Sequence, residues 1–436
     1  MRSVYAGASL PRTVDLMDAT LAPAPVTTTT PPPAVSTAAL LTAMLQVSPN
    51  VSDLIFSPGK PSQVELSGKL MGIKVGSLGV LTAADTQRIA MDLIGDSQKA
   101  LNLLKTQGDC DLSYSLSGKS RFRVNIFRQR GTYAVVMRVI PAETPTFGKL
   151  KLPEQLREII DLKNGIVLVT GPSGSGKSST LAAIIDLINE TYSYHIVTLE
   201  DPIEFLHKHK KATVHQRELH SDTPTFSTAL RSALRQAPKV ILVGEMRDRE
   251  TIEIAMEAAE TGHLVLSTLH TIDASKTVER IVGGFPMAEQ PLVRARLANT
   301  FRWIVSQRLV PKTDGSGRTA VIEILRNNQR TRDYVEKGER DGRSLLDAIR
   351  DGGNDGMQHF DGELERLARE GVISPDTALA YSTNSGNLRL SMTDLFNEAA
   401  EAASAAAASE AAAPDPAVAA AASAVSQPLE GLTRFQ

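Results

Sequence analysis

The stretch GPSGSGKS at residues 171–178 decides the fold because of its flanks, GIVLVT before it and STLAAIIDLI after it. The first flank is a short apolar run of the kind that forms a strand buried on both faces. The second carries Leu181, Ile184, Ile185 and Ile188 at i, i+3, i+4 and i+7, the stripe of an amphipathic helix. A strand, a Gly-rich turn and a helix in that order make a phosphate-binding loop. Gly171, Gly174 and Gly176 let backbone N–H groups turn inward, and the helix N-terminus adds the positive end of its dipole. Pro172, Ser173, Ser175 and Ser179 complete the cradle. Lys177 is placed to neutralise the β- and γ-phosphates of ATP, and Ser178 offers its hydroxyl to Mg2+.

Such a loop serves switches, kinases, translocases and motors alike, so the residues around it must supply the chemistry. Further short apolar runs follow at residues 196–199, 240–243 and 264–267, and Ile252, Ala255, Met256 and Ala259 form a second helical stripe. Strands alternating with helices imply a parallel sheet covered on both faces, with ligands at the C-terminal ends of its strands. Three acids stand at one such end, in TLEDPIE (198–204). Glu204 is the candidate base that orients or deprotonates water, and Glu200 or Asp201 is a candidate to face the metal. In LVGEMRD (242–248), Glu245 follows the next strand where a metal-side acid is expected. His263 and His270 bracket the strand in TGHLVLSTLHT (261–271), where an imidazole beside the γ-phosphate would sense it. Seven residues apart, the two cannot sit at one point, which leaves one of them open to a structural role.

Composition narrows the class. The 436 residues hold 47 Lys and Arg against 49 Asp and Glu, so no global basic field favours nucleic acid as a partner. One cysteine, Cys110, excludes an intramolecular disulfide framework and a four-cysteine zinc module. No apolar run reaches 18 residues and Pro11, Arg12 and Asp15 interrupt the N-terminus, so a cytoplasmic protein is expected. Residues 1–37, rich in Pro, Thr and Ala, read as a flexible extension, and residues 399–436 as an Ala-rich flexible tail. Residues 38–148 read as a small α+β domain with an antiparallel sheet. In RFRVNIFR, Phe122, Val124 and Ile126 share one face while Arg121, Arg123 and Asn125 share the other, and TYAVVMRVI returns as the partner strand. Residues 149–398 read as the nucleotide-binding domain, helical from about 326 onward. Lysines interleaved with histidine in HKHKK (207–211), ahead of His215 and His220, favour a solvated loop over a zinc site. Trp303 is most simply core. Arg231 and Arg235 lie on one helix face, open to a neighbouring subunit or to solvent.

Taken together, GPSGSGKS, TLEDPIE, LVGEMRD and TGHLVLSTLHT resemble the Walker A, Asp box, Walker B and His box of the type II/IV secretion ATPase superfamily. The segments SDLIFSPGKPSQVELSGKL and GKSRFRVNIFRQRGTYAVVMRVIP resemble that family's PAS-like N-terminal domain, and DGMQHFDGELERLAREGVIS the C-terminal helices of its pilus-retraction branch, the PilT/PilU family. The resemblance implies a PAS-like domain followed by a RecA-like ATPase domain, and a hexameric ATP hydrolase that drives type IV pilus retraction and twitching motility. It implies that Lys177 and Ser178 bind phosphate and Mg2+, that Glu204 is the base, that Glu245 is the Walker B acid, and that His263 and His270 belong to the His box. It further implies that Arg121, Arg123 and Arg138 reach the phosphates. An inner-membrane pilus platform protein and related pilus ATPases are the implied partners, at the cytoplasmic face of the membrane. Assembly and type II secretion motors, which carry the four-cysteine module, fit less well. Where the retraction branch has the signature AIRNLIRE, this chain reads RTRDYVEKG (330–338), which keeps a PilU-like accessory role as the alternative.

Overall fold

The computed structural model describes residues 35–397, apart from residues 67, 77, 142, 341 and 342. The expected extension, save residues 35–37, and the expected Ala-rich tail lie outside the described residues. Two sheets organise the chain. The first comprises β1 (Val51–Phe56), β2 (Ser62–Leu66), β3 (Lys69–Ile73), β4 (Asp109–Leu116), β5 (Ser120–Gln129) and β6 (Thr132–Ile140). Its order is β3-β2-β1-β6-β5-β4, with every neighbouring pair antiparallel. Alternation in β5 works as the sequence implies: Phe122, Val124 and Ile126 are fully buried, while Arg123 on the opposite face is exposed. The buried face packs on the helices Thr37–Leu45, Ala83–Ile94 and Gln98–Thr106. Arg121, Arg123 and Ser113 therefore lie on the outer face, toward the second sheet.

Residues 141–146 connect β6 to the helix Phe147–Leu150, whose Phe147 already packs into the second sheet's core. That sheet comprises β7 (Gly165–Thr170), β8 (His195–Glu200), β9 (Thr213–Glu218), β10 (Val240–Val243), β11 (Leu264–Leu269), β12 (Phe301–Pro311) and β13 (Arg318–Arg326). The order is β13-β12-β7-β11-β10-β8-β9, parallel throughout except for the antiparallel β12–β13 edge. Two apolar layers cover it. Ile166 and Leu168 of β7 face the helices Arg249–Glu260 and Gln290–Thr300, and Val167 and Val169 face the helix Lys177–Thr191. Burial on both faces is why these strands read as continuous apolar runs.

The strands β9, β12 and β13 are not foreseen by the sequence reading. Polar residues fill β9 (TVHQRE) because it is an edge strand, paired only to β8. Trp303 is core, as expected, but it sits on β12 under the guanidinium of Arg326, 4.4 Å from the ring centroid. The hairpin β12–β13 also anchors helices that precede and follow it in the chain. Glu323 on β13 accepts the backbone N–H of Ala274, at the start of the helix Ala274–Gly283, at 3.0 Å. Arg308 on β12 stacks on Phe360 at 3.7 Å and donates to the carbonyl of Tyr381 at 2.6 Å.

Burial pushes the Glu323 carboxyl from its ordinary 4.5 up to about 7, against the opposing bond from Ala274. A carboxyl raised in the folded state holds a proton that the unfolded chain gives up near 4.5. Its contribution to stability is thus present at low pH and is lost as pH rises toward 7. Replacing Glu323 with Gln should shrink the fall in thermal midpoint between pH 5 and pH 8; a variant with the parent's pH dependence would contradict this.

Candidate functional site

The sequence after β7 turns through three glycines with positive φ: Gly171 at 145°, Gly174 at 75° and Gly176 at 89°. A Cβ on Gly171 would lie 2.3 Å from the carbonyl oxygen of Gln307, so this position has no room for a side chain. The helix Lys177–Thr191 starts directly after Gly176 with no side-chain cap, leaving its first amides facing the loop. Lys177 is buried, and its Nζ donates to the carbonyls of Gly171 at 2.9 Å and Pro172 at 3.0 Å, lying 3.4 Å from His270 Nδ1. Burial weakens the hold of Lys177 on its proton, while the carboxylates of Glu245 and Glu204 act in the opposite direction. Both acids are thus within charge range of the loop's lysine. Ser175 Oγ is buried in the loop with no hydrogen-bond partner among the described residues.

Glu245, past the end of β10, pairs with Arg247 and lies 3.6 Å from His270 Nε2. These three residues, with Leu269, Thr271 and Arg280, line a cavity of about 420 Å³ beside the loop. Ser178 and Glu245 supply oxygen donors of the hard kind that Mg2+ prefers. Glu204 is exposed on the loop that leaves β8.

Some expectations are corrected. His263 sits at the opposite end of β11 from His270, and six strand residues intervene, a span of roughly 20 Å. Its Nδ1 lies 2.9 Å from the carbonyl of Ala258, so it closes the end of the helix Arg249–Glu260 and does not reach the loop. Glu200 does not turn toward a metal. It accepts from Thr198 Oγ1 at 2.6 Å and from Gln216 Nε2 at 3.0 Å, and burial raises its pKa. Glu200 braces the loop instead. Arg121 points at Glu218 of β9, with Nη2 2.9 Å from Oε2, and Arg138 pairs with Asp53 on its own sheet at 3.0 Å. Arg123 and Asp201 line a separate cavity of about 600 Å³ between the two sheets. Asp201 is also near enough to Arg247 to add to the charge that holds the latter's proton. Elsewhere, Arg231 pairs with Glu250 at 2.9 Å, and His215 belongs to β9 with its Nδ1 2.9 Å from His195 Nε2.

Gln307 is the functional residue that sequence reading misses. Fully enclosed on β12, it donates from Nε2 to the carbonyl of Ser175 at 2.7 Å and accepts from Thr180 Oγ1 at 2.8 Å. Thr170 Oγ1 reaches Ser306 Oγ, beside it, at 3.0 Å. A glutamine inside the run FRWIVSQRLVP is the one available signal: a polar side chain in a buried strand needs partners.

A parallel sheet with this loop at the C-terminal end of a central strand, and acids at the ends of two others, defines a RecA-like P-loop nucleoside triphosphatase. The family described as Type II/IV secretion system protein matches residues 105–356, and the chain belongs to it. The type IV pilus retraction ATPase PilT of Pseudomonas aeruginosa is 43% identical over 329 residues, covering 75% of this chain and 93% of the relative. The type IV pilus ATPase PilU of the same organism is 38% identical over 346 residues, covering 79% and 89%. Among solved structures, the pilus retraction motor PilT with bound ADP superposes with a TM-score of 0.73 at 40% identity, covering 80% of this chain and 98% of that one. The site and the family together make the chain a P-loop ATPase.

Removing the Gln307 amide by substitution with Ala should weaken nucleotide binding about tenfold, the cost of stranding the partners of a buried hydrogen bond. Gly171→Ala should abolish binding, since its Cβ has no space. Fluorescent-nucleotide titration of both variants checks this, and wild-type affinity in either would refute the bracing role.

Proposed function

We propose that this protein is a hexameric ATPase motor of the type IV pilus machine and that it drives pilus retraction. The observation that carries the reading is the convergence of Lys177, His270, Glu245 and Glu204 on one phosphate-binding loop. Support for retraction comes from the retraction ATPases among the relatives and from their coverage of most of this chain. The PilU-like accessory role is less favoured. Among the described residues no helix is long and apolar enough to cross a membrane, which fits a peripheral position at the inner face of the cytoplasmic membrane, held by a pilus platform protein.

In this reading the chain divides near residues 148 and 149, and nucleotide is held by the loop residues 171–179. The loop amides and Lys177 bind the β- and γ-phosphates. On phosphate binding Lys177 exchanges the carbonyls of Gly171 and Pro172 for phosphate oxygens, a charged partner in place of two neutral ones. Ser178 and Glu245 would hold Mg2+, which supplies neutralisation of charge on the phosphate oxygens. Glu204 takes the proton of the attacking water. Its exposed position gives it access to solvent. His270, placed between Lys177 and Glu245, reports the γ-phosphate to Thr271–Asp273 and so to the helix that follows.

Lys177→Ala should lower ATP turnover by ~10²–10³-fold or more, with loss of nucleotide binding. Glu204→Gln should lower turnover by ~10²–10⁴-fold with nucleotide affinity preserved. Steady-state phosphate release and nucleotide titration separate the two, and near-parental turnover in either variant contradicts its assigned role. Cells lacking the protein should remain piliated but fail to retract, scored by imaging labelled pili.

A further inference from the structure

Glu218 occupies a position that the ATPase chemistry above does not use. It ends β9 at the edge of the large sheet and is only 4% exposed, although a lone carboxylate at an edge would ordinarily face water. Three donors converge on it. Ser113 Oγ of β4 donates to Oε1 at 2.5 Å, Arg121 Nη2 of β5 donates to Oε2 at 2.9 Å, and the backbone N–H of Ile203 donates to Oε2 at 3.1 Å. The first two come from the outer face of the N-terminal sheet. The third comes from the residue directly before Glu204. One carboxylate thus links the N-terminal sheet to the backbone of the loop that carries the base. The link is stiffened from behind: Asp222 accepts the N–H of Glu218 at 2.7 Å, and the N–H of Leu219 donates to the carbonyl of Glu200 at 2.8 Å.

We propose that Glu218 is a positioning residue for ATP hydrolysis, holding Glu204 in its hydrolytic place only while the N-terminal sheet is docked on the large sheet. The physical reason is charge balance. A buried carboxylate is tolerated because Arg121 and two neutral donors compensate it, and withdrawal of Arg121 leaves it uncompensated. Glu218 must then turn to water, and Ile203 N–H loses its acceptor. The loop bearing Glu204 relaxes with it, whereas the phosphate-binding loop, held by Gln307 on the other side of the sheet, does not. Undocking is therefore expected to slow the chemical step and spare nucleotide binding. The inference rests on the reading of Glu204 as the base.

The test uses the full-length protein. Glu218→Ala should lower kcat by ~10–100-fold, the scale of a catalytic group displaced by about 1 Å, with nucleotide Kd within about twofold. Glu218→Gln, which keeps the shape and an acceptor for Ile203 but loses the charge pair, should lower kcat in the same direction, and it serves if the Ala variant does not fold. The double variant Arg121→Ala with Glu218→Ala should be no slower than the worse single variant, and Glu218→Ala should cost nothing further in a Glu204→Gln background. Wild-type kcat in Glu218→Gln overturns the proposal, as do losses in kcat that multiply in the Arg121 pair. A rise in nucleotide Kd matching the fall in kcat overturns it too. Retained turnover in Glu204→Gln alone refutes instead the assignment of the base, so the two failures are distinguishable.

Discussion

A phosphate-binding loop works only if its amides stay aimed at one point, and in this fold that constraint is imposed from outside the loop. Three left-handed glycines permit the conformation but do not select it, because glycine is free to adopt many others. Selection comes from Gln307, whose carbonyl fills the space where Gly171 would carry a Cβ and whose amide grips Ser175 and Thr180. That grip requires β12 to lie beside β7, and the parallel β12–β7 pairing fixes it there. The order of the large sheet thus serves the loop: β12 on one side supplies the brace, and β11 on the other supplies His270.

Electrostatics at the site follow from the same placement. Lys177 is buried and holds its proton less firmly than a free lysine, although two carboxylates offset part of the cost of its charge. Glu245 is in turn shared between Arg247 and His270, so the lysine, the acid and the histidine form one short chain of polar contacts. Any anion entering the loop meets a cation whose present partners are neutral carbonyls, and such partners are readily exchanged.

Much of this was legible in the sequence, and the misses have a common origin. The four central strands of the large sheet are apolar on both faces and read as such, and the alternation in RFRVNIFR correctly separated core from outer face. The edge strand β9 was lost because its residues are those of a solvated loop, and the hairpin β12–β13 because Gln307 and Arg308 break the apolar run of one strand and Glu323 that of the other. Without β9, Glu218 had no place in the reading, and Arg121 was assigned to phosphate when its partner is that carboxylate. His263 and His270 look equivalent in sequence, but a strand holds its two ends apart, and only His270 emerges at the ligand side. Glu200 and Glu204 are likewise one turn of loop apart and opposite in environment, since Thr198 and Gln216 occupy the first.

The covalent passage between the two sheets is narrow. Residues 141–146 are the single crossing, and Phe147 beyond them is already fixed in the large sheet's core. A tether of this length spans at most on the order of 20 Å, so a released N-terminal sheet can swing but cannot drift away. Its return is an intramolecular event, governed by a high effective concentration and independent of how much protein the cell contains. A weak latch then suffices to keep the sheet docked.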